Sequence, residues 1–220
     1  MEPSPELPEW LRPQATTLGV YAQSLASVGV ELGLLGPREV DRVWTRHILN
    51  CAVVADPSVD LVRPQDHVAD VGSGAGLPGL VWAIARPDIR VTLIEPLLRR
   101  ADYLTSVLSQ LTQTDASISD RVMVLRTRAE DLVRAEEPQV FDVVTARAVA
   151  PMNRLLGWTA PLVRQGGRLV AVKGQSAFDE VEQCREQARL MGMDDLVVRT
   201  IGTGVLNPPT TVIWGMRITA

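Results

Sequence analysis

Two hydrophobic periods alternate along this chain, and they divide it. From residue 14 apolar side chains recur at helical spacing, with Leu18, Tyr21, Ala22, Leu25 and Val28 on one stripe up to the GLLGP break (33–37). A second helix is predicted from Pro37, carrying Val40, Val43, Trp44, His47, Ile48 and Cys51 on its buried side and ending near Asp56-Pro57. Residues 1–13 hold four prolines among acids, so they read as a disordered tail. Residues 14–60 then form an N-terminal helical cap, and residues 61–220 form the main domain.

After Pro64 the period changes to short β-branched runs: HVADVG (67–72), VTLIE (91–95), VMVLR (122–126), FDVVTAR (141–147) and GRLVAVKG (167–174). Helical patterns lie between most of them, which predicts an α/β fold with a parallel sheet covered on both faces. Two further strand-like runs, DLVVRTIG (195–202) and TTVIWGMRI (210–218), follow a helix predicted over 176–192. The seven residues between those runs are too few for a crossover helix, so the last pair should be antiparallel. A mostly parallel seven-stranded sheet with a C-terminal antiparallel hairpin resembles the Rossmann-like class I S-adenosylmethionine-dependent methyltransferases.

Composition narrows the picture. With 220 residues, 46% hydrophobic, the chain can bury a full core. Cys51 and Cys184 stand in unrelated contexts, which suggests neither a disulfide framework nor a metal or redox site and fits a reducing cytoplasm. The acidic, proline-rich start is unlike a signal peptide, and no apolar run approaches bilayer length, so a cytoplasmic protein without membrane contact is expected. The net charge of −4 supplies no general field for nucleic acid; any RNA contact must come from a local patch. Of 22 basic residues only Lys173 is a lysine.

The stretch VADVGSGAGLPG (68–79) runs from a strand into a glycine-rich turn. Gly74, Gly76 and Gly79 satisfy the dinucleotide pattern G-x-G-x-x-G, which is weak alone. Asp70, two residues before the first glycine, argues otherwise. A carboxylate there would repel a pyrophosphate, whereas S-adenosylmethionine brings an ammonium and a sulfonium. Gly72, Gly74 and Gly76 extend the turn before Leu77 and Pro78. Glu95 ends the second strand, where an acid binds ribose hydroxyls in either fold. After the third strand, Arg128-Ala129-Glu130 falls where the adenine edge would lie; an ordinary helix N-terminus is the plain alternative.

The fourth strand ends in TARAVAP (145–151), without the Asn/Asp-Pro-Pro-aromatic tetrad of exocyclic-amine methylation and without a cysteine nucleophile. That leaves an acceptor with its own lone pair, such as guanine N7, which needs positioning more than activation. Because N7 gains positive charge, Arg147 and Lys173 are predicted to contact phosphate, guanine O6 or the cofactor carboxylate and to leave N7 free.

The motifs RHILN (46–50), DVGSGAGLPG (70–79), RAE (128–130), ARA (146–148) and VKG (172–174) together resemble the bacterial glucose-inhibited division protein B family over about residues 15–218. The resemblance implies methyl transfer from S-adenosylmethionine to N7 of a single guanine in the 16S rRNA loop near the decoding site. It also implies a link between loss of the modification and low-level streptomycin resistance. A monomer acting on rRNA within the 30S subunit is the expectation, with naked rRNA and an assembly intermediate as the alternative forms of the substrate. By position, Gly72, Leu77, Ala129, Glu130 and Arg147 would line the cofactor, with Arg128 and Lys173 serving RNA or catalysis. His47 and Asn50 match a family motif without a derivable role. The family pattern is departed from at Cys51, where serine is common, and at Asn207-Pro208-Pro209, where a basic residue is usual and Arg199 or Arg217 would have to substitute. The rival readings are a methyltransferase for a small molecule or protein, a nicotinamide-dependent oxidoreductase, and a noncatalytic interaction module.

Overall fold

A computed structural model describes residues 2–218 of the chain. Seven strands, β1 (His67–Val71), β2 (Arg90–Ile94), β3 (Val122–Leu125), β4 (Phe141–Arg147), β5 (Val163–Lys173), β6 (Val197–Ile201) and β7 (Thr210–Met216), form one sheet in the order β3-β2-β1-β4-β5-β7-β6. Strands β1 to β5 pair in parallel, while β7 inserts antiparallel between β5 and β6. The switch in strand order falls between β1 and β4, where such sheets open a crevice at their carboxyl ends.

Strand alternation sorts the core into two layers. Val68, Leu93, Val143, Val170 and Val172 face a cluster shared with α1 (Ala15–Ala26), α2 (Gly79–Ala85) and α3 (Leu98–Leu111). Ala69, Ile94, Val144, Ala146, Leu169 and Ala171 face a second cluster with α4 (Ala129–Val133), α5 (Met152–Thr159) and α6 (Ala177–Leu190). Side chains of the cap, including Leu18, Trp44, Ile48 and Cys51, belong to the first cluster, so cap and sheet share one continuous core.

Three expectations for the tail and the cap need correction. The residues expected to form a loose tail are packed: a 3-10 turn covers Glu9–Gln14, Leu7 and Leu11 are buried, and the Glu2 carboxylate accepts from the Trp44 and Thr45 amides. The apolar residues spaced between the prolines provide the anchoring that the prolines alone did not suggest. The second helix is not a regular α-helix; it is a 3-10 turn (Pro37–Arg42), a π-helical stretch (Val43–Leu49) and short turns to Ala55. Val28, placed on the buried stripe by spacing, is exposed because α1 ends at Ala26.

Candidate active site

The glycine turn follows β1 and is clamped from three sides. Tyr21 of the cap donates to the Ala75 carbonyl at 2.7 Å. Gly76 has φ +97°, and a Cβ there would lie 2.9 Å from the Tyr21 hydroxyl, so only glycine lets the cap close on the turn. A Cβ on Gly79 would lie 2.6 Å from the Asp70 Cβ and 2.8 Å from Leu93 Cδ2, so this third glycine permits α2 to seat on the sheet. Leu77, expected on the cofactor, is partly buried against the first core cluster.

Asp70 does not stand open to a ligand as expected. It is fully buried beneath the turn, and its Oδ2 accepts from the Gly79 amide at 3.0 Å. Its Oδ1 is buried with no partner among the described residues. Burial lifts the carboxyl to about 7, against the opposing pull of the Gly79 amide and of the nearby Ser73 hydroxyl, which donates to the Asp70 backbone carbonyl at 2.8 Å, with Glu95 adding to the rise. A cationic ligand end above this turn would relieve that cost, so the site suits a positively charged group and not a pyrophosphate. Glu95 is buried at the end of β2, where Oε2 accepts from Gly74 N and Oε1 from Leu97 N, both at 2.9 Å. Ala129 packs with Val71 and Ile94 at the ends of β1 and β2, and Glu130 beside it is partly exposed. Orphaned oxygen, acid at the end of β2 and glycine cradle together fit S-adenosylmethionine.

A cleft of about 940 Å³ opens at the carboxyl ends of β4 and β5, between the cap and the loop before β7. It adjoins the turn: a Cβ on Gly72 would lie 2.8 Å from the Val149 side chain, which lines the cleft. Arg42, Arg46, Arg147 and Lys173 supply its cations. The two basic residues that the sequence grouped together lie on opposite faces of the sheet. In the β4 register Arg147 pairs with Val172 and points with Val143 toward the cap, whereas Lys173, one residue on, points toward α6.

Each has partners the sequence did not reveal. Arg147 donates from Nη2 to His47 Nδ1 at 2.9 Å and from Nη1 to Cys51 Sγ at 3.1 Å. Lys173 donates from Nζ to the Glu180 carboxylate at 2.7 Å and to the Ala150 carbonyl at 2.8 Å. Burial raises Glu180, but hydrogen bonds from Lys173, Ser176 and the Met152 amide outweigh it and hold the acid below its usual range. Lys173 therefore braces the loop after β4 instead of reaching out with a free charge. Arg128 lies exposed at the start of α4 and does not line the cleft.

His47 and Asn50 acquire roles. His47 bridges Glu39, at 3.1 Å from Nε2, and Arg147. Asn50 exchanges hydrogen bonds with Thr210, tying the cap to the first residue of β7. Neither candidate replacement for the family's late basic residue reaches the cleft. Arg217 follows the far end of β7 and donates to the carbonyls of Ala160, Pro161 and Val163, while Arg199 sits over Trp214 and reaches the Val59 carbonyl. Asn207, Pro208 and Pro209 themselves line the cleft wall, and cap residues Arg42 and Arg46 supply cations opposite. Arg46 opens the RHILN motif, but only the three-dimensional path of the cap places it and Arg42 at the cleft.

Among the described residues no helix is long and apolar enough to cross a membrane, and no group of three His, Cys, Asp or Glu side chains could hold a metal ion.

The sheet order and the carboxyl-end site define a class I methyltransferase fold. Comparison with solved structures agrees: the S-adenosylmethionine-dependent methyltransferase SibL aligns with a TM-score of 0.57 at 16% identity, over 92% of this chain and 70% of that one. An O-methyltransferase family protein from Burkholderia thailandensis aligns at 0.53 and 16% identity, over 96% and 71%. The family model GidB, rRNA small subunit methyltransferase G, matches residues 14–207. Ribosomal RNA small subunit methyltransferase G of Mycolicibacterium gilvum is 48% identical over 91% of this chain and 83% of its own length. The protein of that name from Corynebacterium glutamicum strain R is 47% identical over 88% and 82%. The chain belongs to the rRNA small subunit methyltransferase G family.

Proposed function

We propose that this protein methylates N7 of a single guanine in the small-subunit 16S rRNA, using S-adenosylmethionine, in the cytoplasm and with the 30S subunit as the substrate particle. The observation that carries the reading is the arginine-rimmed cleft adjoining a glycine turn whose buried Asp70 oxygen lacks a partner. The cofactor supplies a methyl group whose carbon–sulfur bond breaks as the guanine lone pair attacks, the electron pair remaining on sulfur. No proton moves, so the site needs no general base.

The chain's residues bind and orient. The Gly72, Gly74 and Gly76 backbone would cradle the cofactor, Glu95 would accept from its ribose hydroxyls, and Ala129 with Glu130 would meet the adenine edge. Asp70 offsets the cationic end from beneath. Arg147, which the family resemblance set against the cofactor, is held by the cap at the cleft and is assigned here to the acceptor side, keeping N–H groups for guanine O6 or a phosphate, with Arg42 and Arg46 on the opposite rim for the RNA backbone. Arg128 lies where it would meet RNA outside the cleft. Expression in a bacterium whose 16S rRNA lacks N7-methylguanosine, followed by nucleoside mass spectrometry, tests the reading. Appearance of that nucleoside in 16S rRNA supports it. Purified protein that binds cofactor yet leaves 16S rRNA unmodified would move the acceptor to a small molecule or protein.

A further inference from the structure

Arg147 is held along one edge by the cap. An arginine can only donate, so the His47 Nδ1 at 2.9 Å must be the acceptor. The ring is then neutral with its proton on Nε2, and that N–H donates to Glu39. The Glu39 carboxylate also receives Arg42 at 2.8 Å and Arg46 at 2.9 Å, and the Arg46 carbonyl accepts from Arg147 at 3.3 Å. One buried imidazole thus links an anionic cap centre to the arginine at the cleft. We propose that Glu39 and His47 act as a positioning pair that fixes the Arg147 guanidinium for the acceptor base, making the cap part of the methyl-transfer geometry. This rests on the reading of the cleft as the acceptor site.

The contacts leave the Arg147 Nε–H and one Nη1–H without a hydrogen-bond partner among the described residues, since the cap engages both Nη2 hydrogens and one on Nη1. Those remaining donors are the ones available to an acceptor, and their direction is set by the ring behind them. The charges around the imidazole favour its neutral state. Burial is the largest influence, followed by Arg147, and together with Arg46 they outweigh Glu39 and bring the ring to about 4. Cys51, the other acceptor for Arg147, is a buried thiol raised above its ordinary value by burial. Arg42 faces the pair from the cap side. Protonation at Nδ1 would set two donors against each other and release Arg147.

The chain has two histidines, so imidazole nitrogen NMR resolves His47 once His67→Gln identifies the other. The expected spectrum is the Nε2–H tautomer, unchanged from pH 7.5 to 5.5, with Arg147→Ala raising the ring's pKa and loosening the tautomer preference. Single-turnover methyl transfer supplies the functional arm. His47→Phe keeps a ring but no acceptor and should slow transfer roughly 10-fold or more while leaving cofactor affinity unchanged. His47→Asn, with an amide oxygen near the Nδ1 position, should recover most of that loss. In an Arg147→Ala background His47→Phe should cost nothing further, because the pair acts through Arg147. An Nδ1–H tautomer, or equal cost in both backgrounds, would overturn the proposal. Should His47→Phe fail to fold or Arg147→Ala abolish turnover, the tautomer and its response to Glu39→Gln decide. The NMR result stands whichever acceptor is used, so failure of the pair and failure of the rRNA reading are distinguishable.

Discussion

Replacing Asp70 with asparagine should make the cofactor-free protein more stable above neutral pH while weakening its hold on S-adenosylmethionine. The wild-type carboxyl is raised from its ordinary 3.8 to about 7 in the folded protein, chiefly by burial. An acid shifted upward binds more protons folded than unfolded, so its contribution to stability falls as pH rises from about 4 to 7 and is flat beyond. At about 1.4 kcal/mol per tenfold, that difference corresponds to roughly 4 kcal/mol of destabilisation above pH 7. The amide avoids this cost and still offers an oxygen to the Gly79 amide, but its NH2 takes up the unpartnered position, at about 1–3 kcal/mol. The net gain expected at pH 7.5 is about 1–3 kcal/mol, and it falls by about 3 kcal/mol on going to pH 4.5, where the variant is equal to the wild type or less stable by up to about 2 kcal/mol. Urea denaturation of both proteins at the two pH values measures it, since the other carboxylates cancel in the difference. Calorimetry should show the variant binding cofactor at least tenfold more weakly. A stability difference independent of pH would refute the assignment of Asp70 as a strained, ligand-relieved anion.

Other outcomes follow from the same contacts. Gly79→Ala drives a methyl group against Asp70 and Leu93 and should cost about 1–3 kcal/mol in urea denaturation, with loss of cofactor binding. Tyr21→Phe leaves the Ala75 carbonyl without its buried donor and should cost about 1–2 kcal/mol by the same measurement, with cofactor affinity falling several-fold. Lys173→Met leaves Glu180 without its counter-charge. Because Glu180 is held below 4.5 when folded, the pair stabilises above that pH and the benefit fades as pH falls, so the variant should lose about 1–3 kcal/mol at pH 7 and less at pH 4.

The strands and the antiparallel C-terminal pairing were legible because each strand carries its period in its own residues, and the eight residues between β6 and β7 leave room only for a turn. The glycine turn was legible because Gly72, Gly74 and Gly76 alternate at positions of positive φ, a pattern written in the local sequence, although the neighbours that Gly72 and Gly76 make room for are distant in the chain. What the sequence concealed was relational. Arg147 and Lys173 look alike on the page, yet alternation sends one to His47 and the other to Glu180. Asp70 reads as a ligand contact in one dimension; burial shows it to be a brace with one oxygen left over. The cap's π-helical stretch defeats a regular helical projection, so the position of His47 between Glu39 and Arg147 was invisible until the chain was folded. The packed N-terminus was missed because four prolines outweighed the anchoring residues Leu7 and Leu11 in any local count.

The most direct test of the central claim is transfer of labelled methyl from S-adenosylmethionine to 30S subunits lacking N7 methylation, comparing the wild type with Arg147→Ala and mapping the product by N7-specific strand scission. Label is expected at one guanine of 16S rRNA near the decoding site, reduced at least tenfold in the variant while cofactor binding persists. Label spread over many guanines, or full transfer by the variant, would contradict it.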